Sequence, residues 1–283
     1  MSRLDDIQFP QSCQTLLDAH LGELQARYGM ALWMITRVRD ESLVVLRVHD
    51  NHYGLTQGHR LEWQSSYCVR MVEQGAPRIV SDVTGHPIYR DAPINQELGI
   101  GAYIGIPLVD RDNRLFGTLC ALDPSPQPAS LADALPGLQH DAVLISFLLQ
   151  GALRDAREQR LNTFVEHPDR CDETGLPGRE GWNDIFAQEV RHCRDLGADS
   201  TVLYLQGPAD GDSVTIADSL AALLREQDSV AHLGDNRFGI LLADTNEAKS
   251  RRVADRIRDA LNAKQLLVSL QYESLLAGQP QAN

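Results

Sequence analysis

Two short stretches hold the residue types best suited to chemistry. Residues 225–228 read Arg-Glu-Gln-Asp, and residues 234–238 read Gly-Asp-Asn-Arg-Phe. An arginine fork donates to phosphate oxygens or to O6 and N7 of guanine, while a carboxylate accepts from the guanine N–H groups. Arg225 and Asp228 therefore suit a guanine nucleotide. The bland reading of the same pair is a surface ion pair three residues apart, worth about 0.5 kcal/mol or less. The pattern R-x-x-D also occurs at Arg3 to Asp6, Arg37 to Asp40, Arg47 to Asp50, Arg252 to Asp255 and Arg256 to Asp259. The pattern alone therefore carries little weight. The second stretch is poor in acid. Hard divalent cations want carboxylate oxygens, yet Asn236 offers a neutral carbonyl and Arg237 a cation. What the stretch suits well is a two-residue hairpin, because Asp235 and Asn236 are of the few types that tolerate left-handed backbone.

Cysteine chemistry is less directed. The five cysteines, Cys13, Cys68, Cys120, Cys171 and Cys193, are odd in number, and none sits in a C-x-x-C pair. Reduced thiols and no structural zinc are expected. His86, Tyr89 and Arg90 could line a pocket entrance or be ordinary exposed loop residues.

Composition limits the partners. The chain has 283 residues, 43% of them apolar and 23% charged, enough for two domains with their own cores. A formal charge of -13 argues against nucleic acid or an anionic membrane as partner, since both are bound through an excess of Lys and Arg. MSRLDDIQFP lacks the apolar core of a signal peptide, and no run approaches the ~18 apolar residues of a membrane span. A cytoplasmic location is expected.

The elements that must position these residues follow from periodicity. Leu16, Leu17, Leu21 and Leu24 share a helical face that ends at Gly29. ALWMITRV and SLVVLRVHD read as strands joined by a turn. SSYCVRMVE reads as a short helix ended by Gly75, and RIVSDV as a strand. GAYIGIPLVDRDNRLFGTLCALD reads as a hairpin turning at Arg111 to Arg114, closed off by PSPQP. Residues 130–167 form a helical stretch interrupted early by Pro136, with Val143, Phe147, Leu148, Leu153, Leu161 and Phe164 recurring at helical spacing. Its front half is expected to be buried on the first domain, and its rear half to be exposed or to form a parallel dimer seam. After it, Trp182, Ile185, Phe186 and Val190 share one face of a further helix.

SSYCVRMVEQGAPRIVSDV followed by AYIGIPLVDRDNRLFGTLCALD resembles a GAF domain over residues 10–128. The resemblance implies a small-molecule sensing module, an antiparallel sheet flanked by helices with a ligand pocket over one face; it names no ligand. A covalent tetrapyrrole would want a Cys-His pair, but Val69 follows Cys68 and Ala121 follows Cys120. Cys68 stands where the methionine-sulfoxide-reducing members also carry a cysteine, yet SDVTGHPIYRDAP supplies no partner thiol. Cys68 and Cys120 are therefore read as small core residues.

CDETGLPGR resembles the D-x-L-T-G-L-P-N-R opening of GGDEF domains, the diguanylate cyclase family that condenses two GTP molecules into cyclic di-GMP. Asp172, Thr174, Gly175, Leu176, Pro177 and Arg179 match it, with Asp172 one residue nearer the threonine. Val230, Ala231, Leu233, Gly234, Phe238, Ile240, Leu241 and Leu242 fall in step with the family's naming signature, so the resemblance covers about residues 171–272. The resemblance implies a metal-holding acid at the place of Asn236 and further carboxylates, in a pattern like D-x-D-x-F, on the first strand. That strand reads STVLYLQGPADGDS, with Leu205 and Gln206 near its end and the first acid at Asp210. Against the same resemblance, the helical segment that in the family contacts the nucleotide after this strand is missing, as is the family's final helix, and Gln271 replaces a glycine of the V-S-I-G segment. Under the same resemblance, Arg225 and Asp228 fall at the inhibitory site that binds cyclic di-GMP.

The expected architecture is α+β and α/β in two domains: a GAF sheet over 10–128, a linker helix over 130–167 and a shortened GGDEF domain over 171–283. The leading function is a non-catalytic regulatory protein, a homodimer that takes a small molecule in the GAF half and cyclic di-GMP at Arg225 and Asp228, with no metal and no other cofactor. A scaffold that binds a protein partner and no nucleotide is the alternative. An active cyclase is opposed by the missing carboxylates.

Overall fold

The computed structural model describes residues 12–166 and 169–275, which fall in two compact units, Met1–Ala152 and Leu153–Asn283. The pair Arg3 and Asp6 and the last residues of the expected second domain lie outside the described residues.

In the first unit, Ser12 caps helix α1 (Cys13–Tyr28) by accepting the Thr15 N–H, and Gly29 ends it at φ 74. Strands β1 (Leu32–Arg39) and β2 (Ser42–Asp50) follow as a hairpin, then β3 (Arg60–Glu62) and helix α2 (Tyr67–Glu73). Strand β4 (Ile79–Val80) leads to two short helices, α3 (Pro87–Arg90) and α4 (Pro93–Leu98). Strands β5 (Ala102–Val109) and β6 (Leu115–Asp123) form the second hairpin, with Asn113 at φ 59 in its turn. Together the strands make an antiparallel sheet in the order β3-β2-β1-β6-β5-β4. Alternation along β1 sends Leu32 and Met34 to one face, with α2 and Tyr89, and Trp33 and Ile35 to the other, with α1.

The long helix α5 (Leu135–Glu166) differs from expectation in three ways. Pro136 lies in its first turn, where a missing N–H costs nothing, so it opens the helix rather than interrupting it. The face packed on the sheet carries Leu138, Ala142, Ile145 and Leu149. Val143, Leu144 and Phe147 are 66%, 61% and 70% exposed. The front half of α5 carries two adjacent apolar stripes, and the sheet covers only one. The boundary between the two units falls within α5, so the stretch expected as a separate linker is shared between them.

In the second unit, the rear part of α5 is followed by a loop leading to helix α6 (Arg179–Leu196), whose N-terminal N–H groups at Glu180 and Gly181 donate to the Asp169 carboxylate. Strand β7 (Ser200–Gln206), helix α7 (Ser213–Leu223), strands β8 (Ser229–Gly234) and β9 (Arg237–Leu242), helix α8 (Glu247–Asn262) and strand β10 (Ser269–Leu275) complete it. Its sheet is antiparallel in the order β10-β7-β9-β8. One face packs Leu203, Leu205, Phe238 and Ile240 against α7 and α8; the other packs Val202, Ala231 and Leu241 against Trp182, Ile185 and Cys193 of α6. Among the described residues, no helix is long and apolar enough to cross a membrane.

Candidate functional site

The hairpin of β8 and β9 places the expected site residues at its two ends. At the tip, Gly234 pairs with Arg237, and the turn residues Asp235 and Asn236 sit at φ 52 and 53. This is the two-residue left-handed turn that the sequence calls for. Asn236 is only 7% exposed, and its side chain is spent on structure. Its Nδ2 donates to the carbonyls of Pro208 and Gly211, both at 2.8 Å, and its Oδ1 accepts from the Ser213 hydroxyl at 2.7 Å. The Asn236 carbonyl accepts the Gly207 N–H as well. One amide thus fastens the hairpin tip to the loop between β7 and α7.

Most other groups around the tip are committed as well, Asp235 excepted. Leu205 is buried in the core and Gln206 donates to the carbonyls of Gly207 and Asp235. Asp212 caps α7, accepting from the Val214 N–H and the Thr215 hydroxyl; the bonds from Thr215, more than that from Val214, hold its carboxyl below the usual range. Asp235 is 90% exposed and meets Arg237 only across the surface at 3.5 Å. Phe238 is fully buried and stacks on His232, with ring centroids 4.8 Å apart. Among the described residues, Asp210, Asp212 and Asp235 form no cluster of metal ligands.

At the base of β8, residues 225–228 form a turn closed by the Asp228 N–H on the Arg225 carbonyl. Asp228 accepts the Arg225 N–H at 3.0 Å on one oxygen and the Ala243 N–H at 3.2 Å on the other. Burial raises its pKa above the ordinary carboxylate value, although these two bonds pull the other way. Arg225 is exposed and lines a cavity of about 340 Å³ together with Arg157, Arg160, Leu161, Glu226 and Gln227. Of the three arginines, Arg160 is bound to Glu189. Sequence reading missed Arg157 and Arg160, because they lie on α5, far away in the chain.

In the first unit, the sheet face expected to hold a ligand is filled. Tyr67, Tyr89 and Tyr103 pack with centroids 4.9 to 5.2 Å apart, over a space of about 20 Å³. That holds no more than about one water molecule. Tyr89 is not at a pocket entrance: it is fully buried, with its hydroxyl donating to the Pro77 carbonyl at 2.6 Å. The turn of α3 rolls it inward, while His86 and Arg90 stay exposed and Arg90 pairs with Asp91. Cys68 and Cys120 are buried, with Sγ atoms 3.2 Å apart and the Thr118 hydroxyl beside both. The hydrogen bond between them lowers the pKa of Cys68 and raises that of Cys120.

A further set of reactive groups was invisible in the sequence. Cys171 Sγ lies 3.0 Å from His232 Nδ1, 61 residues away in the chain, and Glu173 stands beside them. No local spacing signals this group, because the loop and β8 meet only in the folded sheet.

This chain belongs to the GAF domain family: the GAF domain model matches residues 10–169, and the model described as diguanylate cyclase, GGDEF domain, matches residues 171–277. The two domains make it a signalling protein of the diguanylate cyclase family. No curated protein matches the chain. Among solved structures it is similar to the FimX GGDEF domain from Pseudomonas aeruginosa, at 16% identity over 40% of this chain and 83% of that one, with a TM-score of 0.38. The GGDEF domain of TpbB (YfiN) from the same organism matches at 25% identity over 37% of this chain and 73% of that one, with a TM-score of 0.33. Free methionine-R-sulfoxide reductase from Neisseria meningitidis matches at 19% identity over 52% of this chain and 83% of that one, with a TM-score of 0.42.

Proposed function

We propose that this is a non-catalytic regulatory protein of the cytoplasm, whose degenerate GGDEF domain binds cyclic di-GMP beside Arg225 while its GAF half responds to a small molecule or to a partner. The observation that carries the reading is the contrast between the two ends of one hairpin. At the tip, where the family resemblance implies a metal-holding acid, the Asn236 amide is consumed by three structural hydrogen bonds. At the base, a cavity of about 340 Å³ is lined by three arginines, within the size range of small-ligand pockets. Arg157 and Arg225 supply donors for a phosphate or a guanine edge. Asp228 is not among the residues that line this cavity; its two oxygens accept the Arg225 and Ala243 N–H groups and so hold the turn that carries Arg225.

Calorimetry with cyclic di-GMP tests this directly. The parent should bind, and Arg225→Ala and Arg157→Ala should each weaken binding by about tenfold or more, the scale of one lost charge-assisted contact. Absence of heat from the parent at micromolar ligand refutes the receptor reading. Product formed from GTP and magnesium refutes the non-catalytic one.

A second reading, a homodimeric scaffold with a protein partner and no nucleotide, draws on the exposed stripe of Val143, Leu144 and Phe147 on α5. Replacing these three by polar residues should convert a dimer to a monomer in sedimentation.

A further inference from the structure

The loop that leads into α6 is fixed backbone. Cys171 donates its N–H to the Leu176 carbonyl at 2.9 Å and accepts the Gly175 N–H at 2.8 Å, and Gly175 closes the turn at φ 67. The Pro177 carbonyl accepts the His232 N–H at 2.9 Å, which fastens the loop to β8. Three side chains converge as a result. One ligand atom each from Cys171, Glu173 and His232 falls within 4.8 Å of the others. His232 is 8% exposed and held flat against Phe238 at an interplanar angle of 15°, so its ring direction is set by packing. Its Nδ1 is the ring atom turned to Cys171, while Nε2, on another side of the ring, is buried with no hydrogen-bond partner.

We propose that Cys171, Glu173 and His232 form a zinc site with three protein ligands and an open fourth position. A thiolate, an imidazole and a carboxylate are the three ligand types that zinc accepts in a tetrahedron. Zinc–ligand bonds of about 2.0–2.3 Å put neighbouring ligand atoms roughly 3.3–3.6 Å apart. The Cys171 and His232 pair, now at 3.0 Å, has only to open slightly, and the exposed Glu173 has only to swing inward. Thiolate and imidazole together disfavour magnesium and calcium, which take oxygen ligands. The carboxylate disfavours monovalent copper, which prefers soft ligands. As the sulfur–zinc bond forms, the thiol proton passes to solvent. Three ligands leave the fourth position to water or a small anion, as in zinc sites that exchange ligands.

The test uses the full chain, reduced and stripped with a chelator. Calorimetric titration should show one equivalent of Zn²⁺ bound, and Co²⁺ in its place should give a thiolate-to-cobalt charge-transfer band. Cys171→Ser should abolish that band. Glu173→Gln alters an exposed side chain and leaves the fold intact; it should weaken Zn²⁺ by roughly tenfold or more, since even outer-shell partners contribute that much. His232→Ala, checked for folding by circular dichroism, should weaken it similarly. A charge-transfer band that survives Cys171→Ser, or Zn²⁺ affinity indifferent to Glu173→Gln, overturns the site. So does the absence of a stoichiometric equivalent in the parent, in which case Cys171 and His232 are only a hydrogen-bonded clasp.

Discussion

Arg160 donates both Nε and Nη2 to a single oxygen of Glu189, at 3.0 and 2.7 Å, with the two side chains only 8% and 1% exposed. The other Glu189 oxygen accepts from the Ser200 hydroxyl. The buried charge is thus fully answered, and removing one side of it leaves the other stranded. Arg160→Ala should destabilise the second unit by about 3–5 kcal/mol, measured by scanning calorimetry. Replacing both partners with apolar residues, Arg160→Met with Glu189→Leu, should recover most of that loss. Equal damage from the double and single replacements would show that the ion pair is not the source of the effect.

Acid should act through the same carboxylate. Burial alone would raise the pKa of Glu189, but His192 at 3.5 Å, the Arg160 charge and the Ser200 hydroxyl outweigh it and hold the group below its ordinary value. A depressed folded value means that the stabilisation is fully present above the unfolded value and is lost as the pH falls through the folded one. Urea midpoints of the second unit should therefore fall on acidification below the ordinary glutamate range. In Glu189→Gln, part of that slope should disappear; an unchanged slope would assign the acid sensitivity to other groups.

Restoring an acid at the hairpin tip should not restore chemistry. Asn236→Asp turns the two N–H donors that serve Pro208 and Gly211 into an acceptor facing two carbonyls. The expected cost is about 1–3 kcal/mol, that of a buried polar group left without its partner, and no cyclic di-GMP should form from GTP. Thermal unfolding and chromatography check both halves. A variant as stable as the parent would mean that the amide does not clamp the loop.

Burial of Cys193 pushes its thiol up to about 12, so almost no thiolate exists near neutrality. Iodoacetamide at pH 8, followed by mass spectrometry, should leave Cys193 unlabelled until the second unit unfolds. The half-exposed Cys171 should be labelled before it. Labelling of Cys193 in the native protein would reveal an opening of α6 that its packing does not suggest.

Local signals carried much of this fold in the sequence. Gly29 ended α1, and Asp235-Asn236 closed the β8–β9 hairpin with the backbone that those residue types favour. These features depend on neighbours in the chain. The misread positions depend on distant ones. Val143 and Phe147 are as apolar as Leu138 and Ile145, and only the docked sheet decides which stripe is covered. Tyr89 looked like a loop residue because its burial comes from Tyr67 and Tyr103. Arg225 and Asp228 were legible as a pair, whereas Arg157 and Arg160 join that cavity only through the fold. Cys171 and His232 escaped for the same reason.

The strand order of the second sheet also bears on how the chain is made. β7 lies between β9 and β10, and both are synthesised after it. As the chain leaves the ribosome, Val202, Leu203 and Leu205 therefore emerge with no strand able to cover their edges. One edge stays open until residues 237–242 arrive, and the other until residues 269–275 do. An unpaired apolar strand is a target for aggregation and for chaperones, so translational pausing between these points exposes the second unit at its most vulnerable.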